Sequence, residues 1–365
     1  MKLLYDISIR MVALYLIVLL ASCRGGEQRG VPMTGDTLAL NYAEYLTIIE
    51  HDKHTEVLIH SPWNRGKLLQ TFVFDNHTRG YSNALFFTAT HSSLIEELGC
   101  IDAIAGICEA EYVANAHLRQ AISDGRIIDM GSAMTPDRER IVSLNPDIIL
   151  LSPYENASTY GHLEAIGIPI VQCADYMETS ALGRAEWMRL YGRLFGKARE
   201  ADSLFSVIEN EYKTLKSLTD SIGHHPSVLF DTRGGSAWYV PGGRSTMAQL
   251  VCDAGGSYIF SDNTKSGSVP LSFESVLARG EQADVWIIRY NNSRMRMTLP
   301  DLGKVYQPYM LFKAYKQGSV YGCNTAELTF YEETPFHPER LLRDYIHMLH
   351  PELQISDTLR YFHHM

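Results

Sequence analysis

Apolar residues recur along this chain at two periods, and the places where the period changes predict its elements. From Tyr45 to Asp75 apolar and polar positions mostly alternate, as in Tyr45-Leu46-Thr47-Ile48-Ile49 and Glu56-Val57-Leu58-Ile59, with turn residues between. Period-two alternation predicts short strands, here at the start of a first lobe. Near residue 90 the hydroxyls of Thr88, Thr90, Ser92 and Ser93 precede a helical run, Leu94-Ile95-Glu96-Glu97-Leu98, that ends at Gly99. The same figure returns as Gly242-Gly243-Arg244-Ser245-Thr246 before Met247-Ala248-Gln249-Leu250-Val251, ending at Gly255-Gly256.

A second unit follows each of these. Glu139 opens Arg140-Ile141-Val142-Ser143-Leu144, and Pro146-Asp147 turns into Ile148-Ile149-Leu150-Leu151. Glu274 opens Ser275-Val276-Leu277-Ala278-Arg279, and Ala283-Asp284 turns into Val285-Trp286-Ile287-Ile288. Continuous apolar strands behind helices imply parallel sheets covered on both faces. The expected fold class is therefore α/β, with two similar lobes built on mainly parallel central sheets. Between them, apolar residues at Trp187, Leu190, Tyr191, Leu194 and Phe195, then Leu204, Phe205, Ile208, Tyr212 and Leu215, keep helical spacing. Gly196 separates two helices in this reading, and the second, from Ala198 to Leu218, is ~30 Å long at 1.5 Å per residue. That length suits a bridge between lobes, and equally a helix lying on one of them. The expected organisation is an N-terminal lobe over 38–185, a helical segment with the interlobe helix over 186–221, a C-terminal lobe over 222–350, and a tail over 351–365.

The first residues change the picture of where the protein resides. Lys2 and Arg10 flank a start that also holds Asp6, Met11 to Leu20 is wholly apolar, and Leu20-Ala21-Ser22-Cys23 follows. The run is too short for a mature membrane span. A small-residue cleavage site before a cysteine resembles the bacterial lipobox. Residues 1–22 are then a signal peptide, Cys23 is the lipidation site, and polar, Gly-containing residues 23–37 form a tether. An extracytoplasmic protein lipid-anchored to the cell envelope follows.

Composition excludes more than it selects. With 365 residues, 45% hydrophobic and 20% charged, the chain can bury the cores of two domains, and its formal net charge of -10 argues against nucleic acid as a partner. The five further cysteines, Cys100, Cys108, Cys173, Cys252 and Cys323, form no CxxC pair. They read as buried structural thiols, with one disulfide left open. No GxSxG elbow, HExxH helix or P-loop is present, so an enzyme is not expected, and no cofactor is implied.

Three stretches carry a resemblance. They are Leu94-Ile95-Glu96-Glu97-Leu98-Gly99-Cys100-Ile101-Asp102-Ala103-Ile104-Ala105-Gly106, Glu139-Arg140-Ile141-Val142-Ser143-Leu144-Asn145-Pro146-Asp147, and Ser272-Phe273-Glu274-Ser275-Val276-Leu277-Ala278. In this order behind a lipobox, the chain resembles, from about Leu85 to Leu349, the periplasmic binding proteins of ferric-siderophore, haem and cobalamin ABC importers. The two lobes of that family are joined by one rigid helix. The resemblance implies a substrate-binding lipoprotein that delivers an iron chelate or cobalamin to an ABC permease and ATPase complex. It implies that Glu139 and Glu274 dock on permease arginines, where the residues alone suggest only carboxylates complementing helix N-termini, worth about 0.3–1 kcal/mol. It also implies a ligand cleft between the lobes. Candidate ligand residues are Trp238, Tyr239, Arg244, Arg233, Tyr290, Arg289, Tyr331 and Glu332 from the second lobe, and Thr90, His91, Glu109 and Tyr112 from the first. Trp238 and Tyr239 lead this set as flat surfaces at the mouth of the cleft, with core packing as the alternative for either. Arginines would favour an anionic siderophore by charge-assisted hydrogen bonds, and aromatics a corrinoid or haem. A free zinc or manganese binder, and a non-transport sensor or enzyme on the same scaffold, are the competing readings. The histidine pairs a metal ion would use, His51 with His54, His347 with His350 and His363 with His364, fall in the opening strands or a terminal helix.

Overall fold

The computed structural model describes residues 35–76, 79–155 and 163–365, so the signal segment, Cys23 and most of the tether lie outside the described residues. Three strands, β1 (Leu46–Glu50), β2 (His54–His60) and β3 (Leu68–Asp75), form an antiparallel meander. These are the short strands expected at the start of the first lobe, and they form a sheet of their own. The meander docks on the edge of the first lobe's parallel sheet through the Gln70 amide, whose nitrogen donates to the Ile170 carbonyl at 2.6 Å while its oxygen accepts from the Gln172 amide at 2.9 Å. A side chain thereby satisfies backbone groups that an unpaired edge strand would leave open.

The N-terminal lobe is a five-stranded parallel sheet of β4 (Ala84–Phe86), β5 (Ile104–Ile107), β6 (Ile128–Asp129), β7 (Ile148–Leu151) and β8 (Ile170–Gln172), in the order β6-β5-β4-β7-β8. Its helices include α1 (Ala89–Glu97), α2 (Ala116–Ser123) and α3 (Arg138–Leu144). Every residue of β4 and β7 is buried, as continuous apolar runs in a sheet covered on both faces require.

The linking segment comprises α4 (Ala181–Glu186), α5 (Met188–Leu194) and the 20-residue α6 (Ala198–Ser217). Gly196, at φ +69°, takes the left-handed turn between α5 and α6. Gly192 lets the two helices cross closely, since a Cβ there would lie 2.4 Å from that of Ala201. Ala201, Phe205, Ile208, Tyr212 and Leu215 make the buried stripe of α6. One end of α6 packs on α5, and towards the other Tyr212 donates its hydroxyl to Asp253 at 2.6 Å. Its contacts at both ends make the helix a bridge between the lobes, one of the two readings its length allowed.

The C-terminal lobe repeats the design. Strands β9 (Ser227–Phe230), β12 (Ser257–Tyr258), β14 (Val285–Tyr290) and β15 (Val320–Asn324) run parallel in the order β12-β9-β14-β15. Two further strands, β10 (Arg233–Gly234) and β11 (Ala237–Pro241), lie with β13 (Ser268–Leu271) in a small antiparallel sheet. The lobe's helices include α7 (Thr246–Asp253), α8 (Phe273–Gly280), α9 (Leu299–Val305), α10 (Phe330–Glu333) and α11 (Pro338–Leu349). His363 and His364, expected in a terminal helix, instead form β16, which pairs antiparallel with β15, so the tail belongs to this lobe. All five described cysteines are free, and burial pushes the Cys108 and Cys323 thiols up to about 12.

One device marks the internal repeat at atomic level. Asp147, just before β7, accepts the Ser82 and Asn83 amides ahead of β4 at 2.9 and 3.1 Å. Asp284, just before β14, accepts the Ser227 amide and hydroxyl at the head of β9 at 2.8 and 2.7 Å. Each carboxylate pins the two central strands of its lobe. Burial alone would raise the Asp284 carboxyl, but Lys313 and the Ser227 donors outweigh it and hold the group at about 2. Its contribution is therefore present above the unfolded value of 3.8 and lost as pH falls through about 2. Asp147→Ala and Asp284→Ala should each lower stability by about 0.5–1.5 kcal/mol in denaturant titrations, because each removes the acceptor shared by donors at a strand start.

Candidate functional site

The loops leaving the carboxyl ends of the two parallel sheets meet each other. Thr90, which follows β4, donates its hydroxyl to the Tyr331 carbonyl beyond β15 at 2.8 Å. The Glu332 carboxylate accepts the Ala114 and Asn115 amides beyond β5 at 3.1–3.2 Å, and the Ser93 hydroxyl at 3.4 Å. Burial raises the Glu332 carboxyl, and these donors pull it back only in part. His337, buried ahead of α11, bonds Glu97 of α1 at 2.8 Å and Glu339 at 2.9 Å. These contacts form a polar clamp that fixes one border of the interlobe cleft, with a cavity of about 450 Å³ beside it.

Strand order changes direction between β4 and β7, because the chain runs from β4 to β5 on one side and reaches β7 on the other. A crevice is expected outside the carboxyl ends at such a switch point. A cavity of about 190 Å³ lies there, lined by Phe87 and Thr88 beyond β4, Leu151, Ser152 and Tyr154 beyond β7, and Ala133, Met134 and Pro136. Glu109 braces this wall. In a left-handed conformation (φ 57°), its carboxylate accepts the Ser132 hydroxyl and the Ala133 amide at 3.1 and 2.9 Å. Large apolar side chains stand open to solvent around the cleft loops, Met134 at 74% and Tyr112 at 62% exposure, with Tyr154 and Tyr331 near half. Such groups on loop tips suit contact with an apolar or aromatic ligand.

The matching position in the C-terminal lobe, between β9 and β14, is occupied by an ion pair. Asp231 (φ 58°) accepts Arg289 Nε at 2.9 Å and a second, shorter bond from the same guanidinium. Burial would lower Arg289, and Asp231 more than reverses this, raising it further. Tyr290 is half-buried. Its hydroxyl accepts the Met297 amide at 2.9 Å and its ring meets His363 edge-on, so it braces the loop after β14.

Several expected ligand residues lie elsewhere. Trp238 is fully buried, with Trp286, Phe273, Tyr309 and Phe312 around it and its indole N–H on the Phe230 carbonyl, so it is a core residue and no ligand surface. Tyr239, the next residue on β11, faces the opposite way and is half exposed. Arg233 stacks over the Tyr306 ring at 5.3 Å. Arg244 lines a different cavity, of about 370 Å³, with Glu44, Tyr45, His60 and Arg65. His91 is 2% exposed and bonded to Asp175, so it touches no ligand directly. Of the expected residues, Thr90 at the start of α1, Tyr112 beyond β5 and Tyr331 in α10 lie at the carboxyl ends of the sheets, where the lobes meet. Sequence reasoning missed Phe87, Thr88, Met134, Ser152 and Tyr154. The available signal was the first polar residue beyond each apolar strand, Thr88 after β4 and Ser152 after β7.

Glu139 and Glu274 occupy matched places, each the second residue of a helix that leads to a central strand, and both are exposed. The helix-start amides and Ser272 lower the Glu274 carboxyl.

A family profile described as periplasmic binding protein matches residues 91–325. An uncharacterized lipoprotein of Methanocaldococcus jannaschii is 28% identical over 300 residues, covering 80% of this chain and 70% of that protein. Among solved structures, an Fe3+-hydroxamate ABC-type transport protein of Saccharomonospora viridis aligns with a TM-score of 0.56 at 17% identity, covering 75% of this chain and 95% of that one. A periplasmic heme binding protein of Pseudomonas aeruginosa aligns with a TM-score of 0.58 at 15% identity, covering 74% and 93%. At these identities the structural likeness establishes the fold.

The clamp has a pH signature. Burial opposes charge on His337, but Glu339 and Glu97 outweigh it and raise the imidazole from 6.5 to about 9. Its contribution is complete below 6.5 and lost as pH rises through about 9. Amide hydrogen exchange in residues 330–340 should accelerate beyond the intrinsic base-catalysed rise over that window. His337→Gln should show the faster exchange already at neutral pH.

Proposed function

The chain belongs to the periplasmic binding protein family, and we propose that it is the extracytoplasmic ligand-capture lipoprotein of an ABC importer, taking an iron chelate or a corrinoid and handing it to the permease. The observation that carries this reading is the cavity at the β4/β7 switch point, lined by Phe87, Met134, Pro136, Leu151 and Tyr154 with Thr88 and Ser152 as its hydroxyls. Ligand sites of this kind are mostly apolar, with a few polar groups that set orientation. The names of the two structural relatives, one for Fe3+-hydroxamate and one for heme, agree with such a ligand.

Charge narrows the ligand class. The arginines expected to bind an anionic siderophore are neutralised, stacked or remote: Arg289 by Asp231, Arg233 over Tyr306, Arg244 in another cavity. A neutral ferric hydroxamate, haem or cobalamin therefore fits better than a highly charged catecholate. The lipoprotein relatives support anchoring through Cys23, and among the described residues no helix is long and apolar enough to cross a membrane. The exposed Glu139 and Glu274 supply one charged contact per lobe for the permease, which favours encounter rate and register over affinity.

Calorimetric titration against a neutral ferric trihydroxamate, haem, cobalamin, an anionic ferric catecholate and zinc tests the ligand. One of the first three should bind submicromolar, with Tyr154→Ala weakening it at least tenfold, roughly the loss of one packed aromatic. Binding of zinc alone would overturn the chelate reading. For docking, Glu139→Ala with Glu274→Ala should leave that affinity unchanged while abolishing stimulation of the cognate transporter's ATPase.

A further inference from the structure

Behind the wall of the 190 Å³ cavity runs a buried hydrogen-bond relay. Thr88 Oγ1 lies 2.9 Å from His91 Nδ1, and His91 Nε2 lies 2.9 Å from Asp175 Oδ1. Asp175 also accepts from Arg184 Nε at 3.1 Å and from the Tyr191 hydroxyl at 3.2 Å. His91 and Asp175 are 2% and 1% exposed, whereas Thr88 lines the cavity. Thr88 is thus the member of the relay that lines the cavity.

The direction of its protons follows from which groups donate. An ionised carboxylate only accepts, so the hydrogen between His91 and Asp175 sits on Nε2. Arg184, itself partly exposed, already supplies Asp175 with a counter-charge. His91 is buried, and a charge on its ring would add a desolvation cost of several kcal/mol. With a single ring hydrogen, on Nε2, His91 has a bare Nδ1, which must accept. The Thr88 hydroxyl is the donor within reach, so its hydrogen points inward and its lone pairs face the cavity.

We propose that Thr88 is a specificity-determining acceptor of the ligand site, held in that polarity by His91 and Asp175, and that it selects ligands presenting an N–H or O–H donor to the Phe87–Thr88 wall. This rests on the cavity being the ligand site. A free threonine hydroxyl serves donors and acceptors alike, but this one is committed. Ligands that offer only carboxylate or carbonyl oxygens there meet lone pairs with lone pairs. His91 and Asp175 are positioning residues, acting through Thr88.

Two measurements on the full chain separate this inference from the reading beneath it. The first needs no ligand: nitrogen-15 histidine labelling at pH 7 reports the His91 tautomer. The expected result is a protonated Nε2 and a bare, hydrogen-bonded Nδ1, whose resonance moves in Thr88→Val. A doubly protonated ring, or hydrogen on Nδ1, would overturn the assigned polarity. The second compares two probes, a linear ferric trihydroxamate with secondary amide N–H groups and its N-methylated amide analogue. Thr88→Val should weaken the first about tenfold, roughly one hydrogen bond, with Thr88→Ser close to the native protein and the methylated probe insensitive to either change. Equal losses for both probes would overturn donor selection. Failure of every probe to bind the native protein would remove the ligand-site reading, and the selective role with it, whatever the tautomer. A burst of nitrophenolate from p-nitrophenyl acetate that Thr88→Val abolishes would make Thr88 a nucleophile and overturn its role as an acceptor.

Discussion

A carboxylate taken out of water must find donors, and in this protein the donors are backbone amides of distant segments. Glu332 reaches from beyond β15 to the amides of Ala114 and Asn115. Glu186, fully buried, accepts three in succession, from Asn41, Tyr42 and Ala43. Glu178 accepts the next two, from Glu44 and Tyr45, together with the Trp187 indole N–H. The chain leading into the meander is thus clamped, amide by amide, to the linking helices. Leaving such a charge unpaired costs several kcal/mol, so these contacts fix where segments far apart in sequence must lie. A chain with 42 acidic residues has many such groups to place.

The cleft inherits its geometry from this constraint. If α6 alone joined the lobes, a bend in one helix would change the distance between the sheets. The polar clamp from Thr90, Glu332 and His337 adds a second connection at a different place. Movement about one connection strains the other. A cleft held in this way meets its ligand largely preformed, so less ordering opposes binding, and discrimination falls to shape and polarity.

The repeated half of the architecture was legible because its cause is local. A buried parallel strand must be apolar throughout, and its helix must turn into it, so β7 and β14 announced themselves, as did the α6 stripe. Residues whose fate depends on distant partners were not legible. Trp238 and Tyr239 are adjacent aromatics on a strand, where side chains alternate, so only one of them faces the core. Nothing nearby says which, and Trp286, Tyr309 and Phe312 decide it from 48 residues away or more. His91 seemed a ligand group because Asp175, 84 residues on, is invisible to periodicity. The meander's place depends on partners far along the chain, Gln70 on the β8 edge and Glu178 and Glu186 on the residues before β1, and the tail's on pairing with the last parallel strand.

The same long-range pairing governs how charge is presented to a ligand. Counting arginines in loops predicts an anion site, yet guanidinium groups that reach a sheet's carboxyl edge also meet the carboxylates placed there. Arg289 is neutralised by Asp231, and Arg184 by Asp175. In the C-terminal lobe such a pair holds the switch point itself, and in the N-terminal lobe the hollow at the switch point is lined mainly by apolar groups. In a low-dielectric wall of this kind one oriented hydroxyl weighs more than a solvated charge, because water does not screen it and an unmatched ligand atom is left without a partner. Specificity then depends less on the sign of the ligand's charge than on where it carries hydrogen, and Thr88 is where the N-terminal lobe imposes that choice.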